Sequence, residues 1–282
     1  MDGPGMKCVG AMFSSSDAKL LSDGTFSDCE VVCGDKTWKT HKSILCTRSK
    51  WFMKALSGGF KESQDGSVKI EEFSPWEVRA VIQFLYTGVV EDRSEFEKSQ
   101  YVWPIQLYRL ADYFQIDAMM DSCVIWLKEH CNAIANKVQR NRVYQNRVRE
   151  IQTIAQLETP SLVAGLKMAY DAFQLPQPNR MQEELAAFLN KATWAFLENE
   201  NFMHQIRPIP GTLGFDILAA RTKIFLDNLQ LDENCRKCKR SVDSEKYEIA
   251  FTRLTIKNRE EYFGVCEDCV PQDSSDGDGN DD

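Results

Sequence analysis

Residues 74–88 leave the backbone little choice. Ser74 is followed by Pro75, and Glu77 stands three residues after the serine. Serine at that position and glutamate three on satisfy backbone N–H groups that a new helix leaves orphaned, and proline fits the first helical position. Val78, Val81, Ile82 and Leu85 then recur at i, i+3, i+4 and i+7, one apolar stripe along a helix. Gly88 is placed to end it. A helix with one such stripe has to bury it, so the flanking chain must supply the rest of a core.

The flanks read accordingly. Residues 28–33 and 37–40 are two short strands around a turn at Gly34 and Asp35, and residues 67–71 alternate as a third strand. Between them, residues 41–56 are helical, with Ile44, Leu45, Phe52, Ala55 and Leu56 sharing a face across a break near Ser49, and with Gly58 and Gly59 at the end. Two more helices follow. Pro104 opens one with Leu107, Leu110, Ala111 and Phe114 inward, and Asp117 caps another with Met120, Cys123, Val124 and Leu127 inward. Strands first and helices gathered after them define an α+β fold.

Composition narrows the setting. At 43% hydrophobic and 11% aromatic residues, the 282-residue chain has ample material for a packed core. No charge-free run exceeds eleven residues (80–90), about half of what a spanning helix needs. No apolar leader stands at the N-terminus, so the expected location is cytoplasm or nucleus, where the ten cysteines are thiols or metal ligands. The net charge of −8 includes five aspartates in residues 272–282, leaving no general attraction for nucleic acid or an anionic membrane. Lys137, Arg140, Arg142, Arg147 and Arg149 do lie in an acid-free window, 134–149. Such a run is either a solvated helix face or a phosphate contact.

The run SDCEVVCGDKTWKTHKSILCTRSKWFMKAL, then FKES, VKIEEFSPWEVRAVIQFLYTG and LADYFQI, in that order, resembles the BTB/POZ domain, over roughly residues 20–130. The variant looks like those of fungal members with a helical continuation. The resemblance implies a small mixed sheet with a cluster of helices, and a protein-association role without catalysis. It implies partners of two kinds: a second copy in a homodimer, and a cullin-type ubiquitin-ligase scaffold for which the domain acts as substrate adaptor. Asp28 matches the family's acidic residue at the first strand, and Lys39 the basic residue near it in a charged pocket at the dimer groove. A cation there would compensate a partly buried carboxylate. The other reading is that Asp28 caps a turn and Lys39 is solvated. His41 matches the histidine of the HK-x-x-L motif, a hydrogen-bonding residue at a helix start. The scaffold-binding surface implied by the family includes Tyr108, Tyr113 and Phe114, with Glu91 and Asp92 in the loop after YTG. Phe114 is assigned to the core and Tyr113 to the exposed anchor.

Beyond the domain the reading is all-α, then metal-bound. Leu162, Leu166, Tyr170 and Phe173 form one stripe, and Met181, Leu185, Phe188, Leu189, Ala192 and Phe196 another, opened by Asn179 with Gln182 three residues on. Past Pro208 and Pro210, the apolar residues Phe215, Ile217, Leu218, Ile224, Phe225 and Leu229 also need cover. Cys235 and Cys238, then Cys266 and Cys269, form two CxxC pairs with 27 residues between them. Two such turns can close a tetrahedral four-sulfur site around one structural Zn2+ ion, resembling a zinc ribbon. So few residues rarely fold alone, and structural zinc contributes on the order of 10 kcal/mol. Free or redox-active thiols and disulfides are the alternatives. Tyr247, Ile249 and Phe251 alternate as a strand, and residues 260–265 are placed to return antiparallel.

The expected layout is a disordered N-terminus (1–17), a BTB/POZ domain (18–130), a helical region (131–230), a four-cysteine module (231–270) and a disordered acidic tail (271–282). No P-loop, nucleophile elbow, HExxH or dinucleotide fingerprint is present, which argues against an enzyme. Protein–protein interaction is the leading function. The competing reading is a nucleic-acid-associated transcriptional regulator that uses the zinc module and the basic helix; the acidic tail opposes it.

Overall fold

The structure is a computed structural model that describes residues 6–7, 15–57, 59, 64–90, 99–143, 148–171, 175, 178–209, 212–228, 254–256 and 259–261. It divides into two compact units, residues 1–220 and 221–282.

The first unit is built on a three-stranded sheet in the order β3-β2-β4. Strand β2 (Cys29–Cys33) buries Cys29, Val31 and Cys33 and turns the others outward, the period of a half-buried strand. It turns into β3 (Lys36–Thr40) through Gly34, whose φ of 54° is the left-handed region that glycine adopts without steric cost. Strand β4 (Ser67–Lys69) joins β2 in parallel, so the connection carries two helices, α2 (Lys42–Arg48) and α3 (Lys50–Ser57). The break between them falls at Ser49. Its hydroxyl donates to the Phe114 carbonyl (2.6 Å) and accepts from the Phe52 N–H (3.1 Å), so the interrupted ladder is repaired by a side chain.

Helix α4 (Pro75–Thr87) follows the expectation for residues 74–88. The Glu77 carboxylate accepts from the Ser74 N–H (3.0 Å), Gly88 ends the helix at φ 67°, and Val78, Val81, Ile82 and Leu85 are buried. Helix α5 (Val102–Tyr113) and the 27-residue helix α6 (Asp117–Val143) complete the domain. On α6 the inward methionine is Met119 rather than Met120, which is only partly buried.

One departure from the expected layout has a physical cause. Within the N-terminal stretch read as disordered, β1 (Met6–Lys7) pairs antiparallel with β5 (Val89–Val90), and helix α1 begins at Ser15 (Ser15–Asp23). Backbone pairing with a distant strand leaves no mark on local composition. Helix α6 runs straight through residue 130, so the domain and the helical region that follows it share one apolar cluster from Cys29 to Leu213.

That cluster is completed by α7 (Val148–Ala169), α8 (Arg180–Lys191), α9 (Glu200–Ile206) and the start of α10 (Thr212–Asn228). The Asn179 carbonyl oxygen accepts from the Gln182 N–H (3.1 Å), and Gln182 returns the bond to the Asn179 N–H (3.0 Å), so α8 opens on the expected capping box. Helix α7 continues through Pro160, with Ile151, Ala155, Leu162 and Leu166 buried on both sides of it. Burial along the whole helix outweighs the backbone bond that proline removes. Of the residues expected to need cover past Pro210, Ile217 is partly buried, while Phe215 and Leu218 are 76% and 61% exposed. Phe173 and Leu229 lie outside the described residues.

In the second unit β6 (Leu254–Ile256) and β7 (Arg259–Glu261) form an antiparallel hairpin. Tyr247, Ile249 and Phe251 lie outside the described residues, as do Cys235, Cys238, Cys266 and Cys269 and the tail.

Candidate protein-interaction surfaces

Among the described residues, one half-buried aromatic group is assembled from three separate segments. Trp51 comes from the first turn of α3, Phe73 from the approach to α4, and Tyr113 with Phe114 from the end of α5. Phe114 is fully buried at the centre, stacked on Phe52 at 5.6 Å and edge-on to Trp51 (5.1 Å) and Tyr113 (5.0 Å). Tyr113 meets Phe73 edge to face at 4.7 Å and keeps part of its ring in solvent; burial pushes its phenol up.

Charges frame this face. The Arg109 guanidinium donates to Glu77 (2.6 Å) and lies over the Phe73 ring at 5.9 Å from its centroid. Lys50 pairs with Asp117 (2.6 Å), and Lys54 reaches the Gln115 side chain (3.2 Å). A partly buried aromatic cluster with a polar rim has the make-up of a protein contact surface. Trp51 and Phe73 were not singled out in the sequence. Trp51 directly precedes Phe52, which points inward, and a residue one step along a helix faces some 100° away.

Tyr108, expected on the same surface, is not there. It is 6% exposed, against the Arg180 end of α8, and burial raises its phenol. The helical continuation covers it, so Tyr108 belongs to the core and not to an exposed contact face. Glu91 and Asp92 lie outside the described residues.

The other expected site, around Asp28 and Lys39, is divided. Asp28 accepts the backbone N–H of Lys42 (2.7 Å) at the start of α2, and Lys39 stands exposed on β3 opposite Glu30. Among the described residues no ion pair joins Asp28 to Lys39. His41 ties this corner together. Its Nε2 lies 2.8 Å from the Thr25 carbonyl, which can only accept, so Nε2 carries the hydrogen. Nδ1 then accepts from the Tyr86 hydroxyl (2.8 Å), which itself accepts the His41 backbone N–H (2.8 Å). Burial drives the Tyr86 phenol well above its ordinary value and keeps it a donor. The turn so anchored presents Phe26, 86% exposed at φ 62°, a backbone state that bulky residues rarely occupy.

Among the described residues no group of three or more histidines, cysteines, aspartates or glutamates is placed to hold a metal. No helix of the described residues is long and apolar enough to cross a membrane. Burial raises the thiols of Cys29, Cys33, Cys46, Cys123 and Cys131, which makes them poor nucleophiles.

A mixed sheet wrapped by helices and presenting a half-buried aromatic surface has the make-up of a protein-interaction module. The BTB/POZ domain model matches residues 18–130, and that part of the chain is a BTB/POZ domain. The chain is 27% identical over 110 residues to BTB and MATH domain-containing protein 42 of Caenorhabditis elegans, covering 39% of this chain and 26% of that protein. It is 31% identical over 108 residues to Kelch repeat protein M-T9 of Myxoma virus (38% and 19%). To human Kelch-like protein 11 it is 29% identical over 115 residues (38% and 15%). The chain therefore spans about a quarter or less of the length of these relatives. The solved BTB domain of zebrafish PATZ1 is similar over 43% of this chain and 99% of that chain, at 18% identity and a TM-score of 0.30.

Proposed function

We propose that this chain is a non-catalytic adaptor whose BTB/POZ domain joins it to a second copy of itself and to a cullin-type ubiquitin-ligase scaffold. The observation that carries the reading is the half-buried aromatic face of Trp51, Phe73 and Tyr113 on a BTB/POZ domain. Tyr113 and Glu91 act at the scaffold, and Asp28 and Lys39, beside the exposed Phe26, at the second copy. Tyr113 is the anchor there, because a ring held on its other face by Phe73 and Phe114 loses little freedom on binding. The test is reconstitution of the full chain with purified cullin scaffold. A complex is expected, weakened roughly tenfold or more by Tyr113→Ala combined with Glu91→Lys. Failure to bind, or binding indifferent to both substitutions, rejects this surface.

Cys235, Cys238, Cys266 and Cys269 hold one structural Zn2+ in this proposal. Four soft thiolate donors in two x2-spaced pairs suit tetrahedral zinc, and Arg236, Lys237, Lys239 and Arg240 favour the thiolate form. Elemental analysis of freshly purified protein is expected to find about one zinc per chain. A content well below that ends the metal proposal and leaves the adaptor standing.

A further inference from the structure

Ser74 connects a sequence signal to the aromatic face. It stands directly before Pro75, half-buried, in a stretch (70–74) that belongs to no helix or strand, with an extended backbone (φ −77°, ψ 156°). Proline imposes that extended state on the residue before it. A serine or threonine in extended chain with proline next is the pair that proline-directed protein kinases accept. The sequence holds one other such pair, Thr159 with Pro160, but Thr159 is buried in the middle of α7.

One carboxylate links the Ser74 hydroxyl to the candidate contact surface. The hydroxyl donates to Oε2 of Glu77 (2.8 Å), and Oε1 of the same group takes the Arg109 guanidinium (2.6 Å), which lies over the Phe73 ring. Phe73 in turn meets Tyr113 edge to face. The Glu77 side chain is 11% exposed, so these donors replace the water it has lost. Arg109 also carries a buried Nε with no hydrogen-bond partner among the described residues, a donor left over for a further oxygen.

We propose that Ser74 is a phosphorylation site of a proline-directed serine/threonine kinase, and that the phosphate disables the face of Trp51, Phe73 and Tyr113. The γ-phosphoryl group of ATP passes to Ser74 Oγ: its bond to ADP breaks, the Oγ–P bond forms, and the hydroxyl proton goes to the base of the kinase. Fraying of the first turn of α4 admits the enzyme. Glu77 then loses a donor and gains a neighbour carrying about −1.5 to −2 charges. Like charges in a largely buried site repel. The guanidinium fork fits phosphate as well as carboxylate, so Arg109 leaves Glu77 and Phe73 for the new group. Glu77 is left buried without a cation, and Phe73 loses the group that covers its ring. The effect on the scaffold rests on the adaptor reading; the modification itself does not.

The full chain is incubated with a purified mitogen-activated protein kinase and ATP, and the product is mapped by mass spectrometry. Phosphate is expected on Ser74 and not on Thr159, and Ser74→Ala should carry none in that stretch. The phosphorylated chain should unfold at a lower urea concentration than the unmodified one. That difference should vanish in Glu77→Gln, which keeps a capping side chain but has no charge to repel. Affinity for the purified cullin scaffold should fall roughly tenfold or more on phosphorylation. An unmodified Ser74, an unchanged unfolding midpoint, or undiminished affinity in a chain that binds the scaffold overturns the proposal. So does equal destabilisation of Glu77→Gln, since the carboxylate then plays no part. A chain that is phosphorylated at Ser74 and destabilised through Glu77, but binds no scaffold in either form, supports the site and rejects the adaptor role alone.

Discussion

Replacing Phe114 with alanine is expected to lower the unfolding free energy by about 3–5 kcal/mol. The ring is fully buried and lies within 5.6 Å, centroid to centroid, of Trp51, Phe52, Phe73 and Tyr113. Removing it takes away the apolar area it buries and leaves a void lined by four other rings, which cannot all close in. The backbone around it is also committed, since the Phe114 carbonyl accepts the Ser49 hydroxyl that repairs the α2–α3 break. A loss of this size is a large share of the roughly 5–15 kcal/mol that holds a domain together. Urea titration of the full chain measures it, with Leu157→Ala as the comparison. Leu157 is exposed on α7, so its truncation should change stability by no more than about 0.5 kcal/mol. Equal losses from the two variants would mean that the aromatic cluster is not a core.

The second large effect concerns two glycines that look alike in sequence. Gly165 and Gly214 both sit inside helices, α7 and α10. A Cβ built on Gly165 would lie 2.8 Å from the Cβ of Tyr101 and 3.4 Å from its backbone carbon. The obstacle is rigid, because Tyr101 is buried at the start of α5 and its ring packs against His130 at 4.8 Å. Gly165→Val is therefore expected to cost about 2–3 kcal/mol by forcing α7 off α5. A Cβ on Gly214 meets nothing within 4 Å. Gly214→Ala should instead raise stability by about 0.5–1 kcal/mol, the conformational entropy that glycine loses on entering a helix. Chemical denaturation of both variants reads the two signs directly. A neutral Gly165→Val would show that α7 does not pack closely on α5, and would undo the continuous core described above.

The local elements were legible in the chain because their causes are local. Ser74 with Glu77, and Asn179 with Gln182, mark helix starts through side chains that satisfy nearby backbone groups, and the α4 and α8 stripes bury as their spacing requires. The break at Ser49 was readable for the same reason. The family motifs located the BTB/POZ domain, and they were enough to put Phe114 inside and leave Tyr113 partly outside.

What the chain could not reveal was which apolar or polar residue another segment would cover. Tyr108 was placed on the contact surface, yet α8, some seventy residues later, buries it. Phe215 and Leu218 follow the same spacing rules as Phe188 and Leu189 but stay in solvent. For Asp28 and Lys39 the sequence left two readings open, a charged pair or a capping carboxylate beside a solvated lysine, and the structure took the second.

Periodicity and capping depend on residues within a turn or two of each other, so they are written in the order of amino acids. Exposure, the division of Asp28 from Lys39, the pairing of β1 with β5 and the clearance at Gly165 depend on contacts made across tens of residues. Those are settled only when the chain has closed on itself, because burial is a property of the neighbours a residue acquires and not of the residue.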